Sequence, residues 1–222
     1  MLLSISKIGD QMFELIIKNV TEILSSSSAS FALFGVFVLV CFSIYISRIK
    51  FTVNMLVYIS LMLAFTVILH QLRLYHFPQG GSITAGSMIP ILLLSYRYGI
   101  SIGALAGFLY GIINILQDPF ILHPIQVLFD YPLPYMSLGL AALIPAHKIF
   151  STILAFICRF SCHFISGVVF FSSYAPEGMS AVMYSLTVNL SFMLPECLIC
   201  LVILKFFPID RLLQFMDRSR PH

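Results

Sequence analysis

A chain of 222 residues that is 59% hydrophobic and only 9% charged, with a mean hydropathy of +1.00, is excluded from the soluble globular class, where about a quarter of residues carry charge. It is an integral membrane protein. The net charge of +3 comes from basic residues spread among short connections, so no nucleic-acid-binding stripe forms and the residues read as topology signals.

In chain order, the first feature is amphipathic: Ile5, Ile8, Met12, Leu15, Ile16 and Ile23 recur at helical spacing before the run Ser25–Ser28. A surface helix and a hinge are predicted. The late apolar core and mixed charge do not match a secretory signal. Seven apolar segments follow, near residues 31–47, 53–72, 82–96, 99–117, 125–144, 150–172 and 182–207. Each is about long enough, with tilt or re-entry, for roughly 30 Å of hydrocarbon. Residues 1–50 are thus predicted to form an amphipathic stretch plus an extra hydrophobic helix, and residues 51–222 a six-helix transmembrane domain with a short cytoplasmic tail.

Orientation follows from the cations. With the loop after residue 47 inside, that side gathers Arg48, Lys50, Arg97, Lys148, Lys205, Arg211, Arg218 and Arg220, while the outer loops hold only Arg73. Lys7 and Lys18 then lie outside with the N-terminus, or else the first segment does not span. The outer loops, 73–81, 118–124 and 173–181, are rich in Pro and Gly and read as turns. Asn114, Asp130, Tyr131, His163, Tyr184 and Asn189 all fall in the outer parts of their segments.

Asp130, in "ILHPIQVLFDYPLPYMSLGLAAL", needs explaining, because a carboxylate inside a bilayer requires a partner or a wet cavity. Arg159 reads as near the inner end of its segment, which leaves His163 or a bound cation as the partner. An Asp–His or Asp–Tyr pair could also serve only to tie helices together. In "CHFISGVVFF", His163, Gly167 and Phe171 share one helix face, and Gly167 admits close approach by a flat ligand or by a packed helix. In "MYSLTVNL", Tyr184 and Asn189 lie on neighbouring turns.

Other chemistry fits poorly. Ser166 lacks the glycine setting of an intramembrane serine nucleophile, the pairs Cys158/Cys162 and Cys197/Cys200 lie in apolar helices rather than a four-ligand zinc cluster, and no phosphate-binding loop appears. No catalytic residue, metal or cofactor is expected. The tail after residue 207 is too short for the output domain of a sensor. Glu196 reads either as a coupling group of a solitary proton-driven permease or as a packing carboxylate.

From about residue 53 to 207 the chain resembles a known family. "GGSITAGSMIPILLLSYRYGISIGALAGFLYGIINILQDPFILHPIQVLFDYPLPYMSLGLAAL" and "CHFISGVVFFSSYAPEGMSAVMYSLTVN" look like the bacterial thiamine transporter family, the substrate-binding S-components of energy-coupling factor (ECF) transporters. The resemblance implies an all-α integral membrane protein, a six-helix S-component bundle to which this chain adds an N-terminal hydrophobic helix. It also implies an outward-facing pocket for thiamine in a bacterial cell membrane, docked on a transmembrane T-component and two cytoplasmic ATPases that supply the energy. Carried over by residue, it puts Asp130, Tyr131, His163, Gly167, Tyr184 and Asn189 in the substrate site. Phe171 takes a ring-stacking position, with Tyr110 and Phe120 as further aromatics, and Ser60 and Ala64 form a small-residue step for partner docking.

The chain departs from the family in having no Trp, an Asp at the position commonly held by Glu, and no aromatic around Gly81. Phe and Tyr hold a cation less strongly than Trp. A thiamine precursor or analogue is therefore the alternative ligand.

Overall fold

The computed structural model describes residues 27–78 and 80–218, together with Glu14. The predicted N-terminal surface helix otherwise lies outside the described residues. The chain divides into two compact units, one ending at Phe42 and one beginning at Ser43. Helix α1 (Ser27–Ile46) is uncharged along its whole length and matches the predicted extra hydrophobic segment.

The first helix wholly within the second unit is α2 (Val53–Gln71), whose start is fixed by Thr52 accepting the Met55 N–H at 3.3 Å. Strands β1 (Arg73–His76) and β2 (Ser82–Thr84) form an antiparallel hairpin pairing Tyr75 with Ile83 and His76 with Ser82. After it come α3 (Ile89–Tyr98), α4 (Ile100–Gln117), α5 (Pro124–Asp130), α6 (Pro132–Met136) and a 3-10 turn at Ser137–Ala142. The chain closes with α7 (Lys148–Phe170), a 3-10 turn at Ser172–Tyr174, α8 (Ala181–Phe206) and α9 (Ile209–Arg218). Four of these, α2, α4, α7 and α8, are long and apolar enough to cross a membrane.

Two of the predicted spans are therefore not continuous helices. Segment 82–96 spends its first part on β2 and on a turn through Gly86, at φ +87°, and only then enters α3 beside Pro90. Ten residues of helix reach about 15 Å, half the hydrocarbon. Segment 125–144 breaks at Tyr131, where Pro132 starts α6 without an N–H to continue the ladder of α5. Irregular backbone survives at membrane depth only when protein covers it. Here α4 supplies the cover through Gly103, Gly107 and Gly111: a Cβ at Gly107 would collide with the Tyr135 carbonyl, and one at Gly111 would come within 2.7 Å of Pro132 Cα.

The core between these elements includes the fully buried Ile91, Leu92, Leu94, Ala106, Leu138, Ala155 and Cys200. Among apolar tails the gain comes from close packing rather than from leaving water. The expected cytoplasmic tail folds into α9, with Ile209 and Met216 buried and Asp210 paired with Lys148 at 2.6 Å.

Candidate functional site

Helices α7 and α8 pack against each other and turn one polar stripe each toward a shared space. On α7 the stripe is Arg159, His163 and Gly167, four residues apart and continued by Phe171 at the C-cap; on α8 it is Tyr184, Ser185, Asn189, Phe192 and Glu196. With the hairpin, α5 and the connection before it, these stripes line a cleft of about 850 Å³, its open mouth included. Its lining, a few polar groups set among aromatic and apolar side chains, is of the kind that holds a small molecule. Gly167 is required for the contact: a Cβ there would collide with the Ser185 hydroxyl and stand 3.1 Å from Asn189 Nδ2.

Asp130 has the partner expected of it, and a second one. His163 Nδ1 lies 3.3 Å from Asp130 Oδ1, while Gln126 Nε2 donates to Oδ2 at 2.6 Å. Gln126 also donates to the Phe120 carbonyl at 3.0 Å and accepts the Leu122 N–H at 3.0 Å, so the carboxylate is set by the loop before α5. The Tyr131 hydroxyl donates to the Asp118 carbonyl at 2.8 Å and accepts the Phe120 N–H at 2.7 Å. It lines the cleft, but its hydrogen bonds are committed to that loop. Asn189 Nδ2 donates to the Ser185 carbonyl at 2.9 Å and the His163 carbonyl at 3.3 Å, joining the two helices at the cleft.

Several polar atoms on the cleft wall have no hydrogen-bond partner among the described residues. They are Arg159 Nε and Nη1, His163 Nε2, His70 Nδ1 and the Tyr184 hydroxyl, all inaccessible to solvent. A buried polar group left unpaired costs about 1–3 kcal/mol, so a ligand that pairs them recovers that cost. Arg159 corrects the sequence reading. It stands at the middle of α7 rather than near the inner end, shares the cleft with Asp130, and lays its guanidinium 4.8 Å from the Tyr135 ring centroid.

The aromatic residues divide. Phe120 and Phe171 stack at 5.6 Å with planes 21° apart, and Tyr174 packs against both. Tyr110 does not reach the cleft: it is fully buried behind Tyr135, edge-on at 4.7 Å, and belongs to the core. Gly81, where the sequence offers no aromatic, has one beside it, since a Cβ there would lie 2.9 Å from the Phe192 ring of α8. The sequence reading also passed over Gln126, Tyr135 and His70. Gln126 lies four residues before Asp130 and Phe192 three after Asn189, spacings that would have put both on the right helix faces.

Glu196 is committed to the hairpin. Its carboxylate accepts the Thr84 N–H and the Thr84 hydroxyl, each at 2.6 Å, with the Ser87 hydroxyl at 3.4 Å. This favours a structural tie over a mobile proton-coupling group. Ser166 makes no bond to His163, so no nucleophile–base pair forms there.

A model of the family described as thiamine transporter protein matches residues 56–215. A thiamine transporter, ThiT, of Bacillus subtilis (strain 168) is 34% identical over 180 residues, covering 72% of this chain and 93% of the relative. The chain belongs to the thiamine transporter family. A second family relative, ThiT of Lacticaseibacillus paracasei, is 31% identical over 122 residues, covering 46% of this chain and 61% of that protein. The solved structure of ThiT from Listeria monocytogenes shares the fold, with a TM-score of 0.60 at 21% identity, covering 74% of this chain and 94% of that one. Membership in the thiamine transporter family bears out the resemblance carried by "FDYPLPY", "CHFISG" and "YSLTVN".

Proposed function

We propose that this chain is the thiamine-binding S-component of an ECF-type importer, capturing thiamine at an outward-facing membrane pocket in the bacterial cell membrane. The observation that carries the reading is the meeting, in one cleft, of the Asp130–His163 pair, the unpaired Tyr184 hydroxyl, Asn189 and the stacked Phe120 and Phe171. Thiamine carries a permanent thiazolium cation and an aminopyrimidine with a donor beside an acceptor. Aromatic faces suit the first, and a carboxylate with neutral hydrogen-bonding groups suits the second. The names of both relatives support thiamine as the substrate.

Isothermal titration of the purified chain tests this. Thiamine is expected to bind more tightly than either its pyrimidine or its thiazole half. Equal affinity for the hydroxymethylpyrimidine half would point to a precursor as substrate, and absence of thiamine binding would remove the proposal.

Energy is proposed to come from a T-component and two ATPases. Ser60 and Ala64 are exposed one turn apart on α2, which suits close approach by a partner helix. In liposomes without partners the chain should bind thiamine yet accumulate none. Uphill uptake driven by a proton gradient would favour a solitary carrier instead.

A further inference from the structure

At the other end of α7 from the cleft, a groove opens between the start of α7 and the junction of α8 with α9. His147, Lys148, Phe150, Lys205, Phe207 and Arg211 line it. Lys148 is paired with Asp210 at 2.6 Å, whereas Lys205 and Arg211 have no acidic partner among the described residues. Both are exposed, as are Phe150 at 59% and Phe207 at 56%. From Phe150 the apolar track continues along one face of α7 through Ile153 and Ile157, three and seven residues on, a rise of about 10 Å. Helix α9 turns Ile209 and Met216 inward and Asp210, Arg211 and Gln214 outward, the pattern of a helix lying in a membrane interface. The side holding Arg97, Lys148, Lys205 and Arg211 is cytoplasmic by the positive-inside rule.

We infer that this groove binds an anionic phospholipid of the inner leaflet, with Lys205 and Arg211 on the headgroup phosphate and an acyl chain along Phe150, Ile153 and Ile157. Two cations without acidic partners, Lys205 also lying 5.7 Å over the Phe206 ring, favour net negative charge, because a zwitterionic lipid brings its own ammonium to the same place. The apolar track identifies a lipid rather than a free phosphate: it starts inside the groove and runs along the membrane-facing surface of α7.

Native mass spectrometry of the full chain, released from micelles containing phosphatidylglycerol or phosphatidylcholine, tests the inference. Retained phosphatidylglycerol should exceed phosphatidylcholine by about five-fold or more. The double variant Lys205→Gln/Arg211→Gln should erase that preference, Lys205→Arg should keep it, and Lys50→Gln, outside the groove, should leave it unchanged. Melting temperatures of all variants show whether each is folded, and the charge-keeping Lys205→Arg remains informative if the double variant is not. Equal retention of the two lipids, or a preference that survives the double variant, overturns the inference. Displacement by soluble glycerol phosphate as effective as by lipid would mean that only a phosphate is read and would overturn it too. Cross-linking of the groove to a membrane protein partner, without any lipid preference, would assign it to protein docking and equally overturn the inference.

Discussion

The cleft has two kinds of wall, and they use polar side chains differently. On the irregular wall, built from the hairpin and residues 118–136, the side chains are committed to the protein. Asp118 meets Arg73 at 3.3 Å and His76 at 3.6 Å, Gln126 and Tyr131 fasten the loop before α5, and Thr84 is held by Glu196. On the regular wall of α7 and α8, Arg159, His163 and Tyr184 keep buried polar atoms without hydrogen-bond partners among the described residues. A helix satisfies its own backbone, which leaves side chains available for a ligand. Irregular backbone must recruit side chains to stay folded at membrane depth. Shape therefore comes from one wall, the other holds the free polar atoms that the proposed recognition uses, and Asp130, bonded across to His163, joins them.

The largest effect should come from removing the support of the irregular wall. Gly107→Val places branched carbon where the Tyr135 carbonyl sits, so the folded, monodisperse species should be lost in gel filtration. A well-folded variant would show that this wall does not depend on α4. Next in size, Glu196→Ala leaves the Thr84 N–H and hydroxyl without their acceptor and should cost about 3 kcal/mol, read as a lowered melting temperature in detergent. Unchanged stability, with loss of proton-driven uptake, would return Glu196 to a coupling role.

Asp130→Asn probes the residue that joins the walls. Thiamine binding should weaken by about 1.5–3 kcal/mol, roughly 10- to 150-fold, with little change in melting temperature. The opposite outcome, lower stability at unchanged affinity, would make Asp130 a tie between Gln126 and His163 and move it wholly to the irregular wall. The smallest effect belongs to Tyr184→Phe, which removes a hydroxyl with no hydrogen-bond partner among the described residues. Affinity should fall by about 0.5–1.5 kcal/mol while thermal stability holds; a destabilised variant would break the distinction between the walls.

The regular wall was largely legible in advance. His163, Gly167 and Phe171, or Tyr184 and Asn189, fall on one helix face by counting, and counting is reliable while the helix is unbroken. Arg159 obeys the same period, four residues before His163, and was missed because its depth was misjudged rather than its face. Tyr110 failed in the opposite way: it is aromatic and in the right helix, but Tyr135 stands between it and the cleft. On the irregular wall the periodicity stops at Pro132, so nothing local signals that Tyr135 turns toward Arg159.

Residence in a membrane, the apolar segments and the gathering of polar side chains toward one end of several of them were determined by the sequence itself, because hydropathy and helical period are local properties. Only the tertiary structure decided that α3 is half a span, that the fifth segment is broken, and that Arg159 faces the cleft. It also decided the role of Glu196, whose partner Thr84 lies 112 positions away. Contacts of that separation depend on how whole helices and glycine faces pack, and no window along the chain contains them.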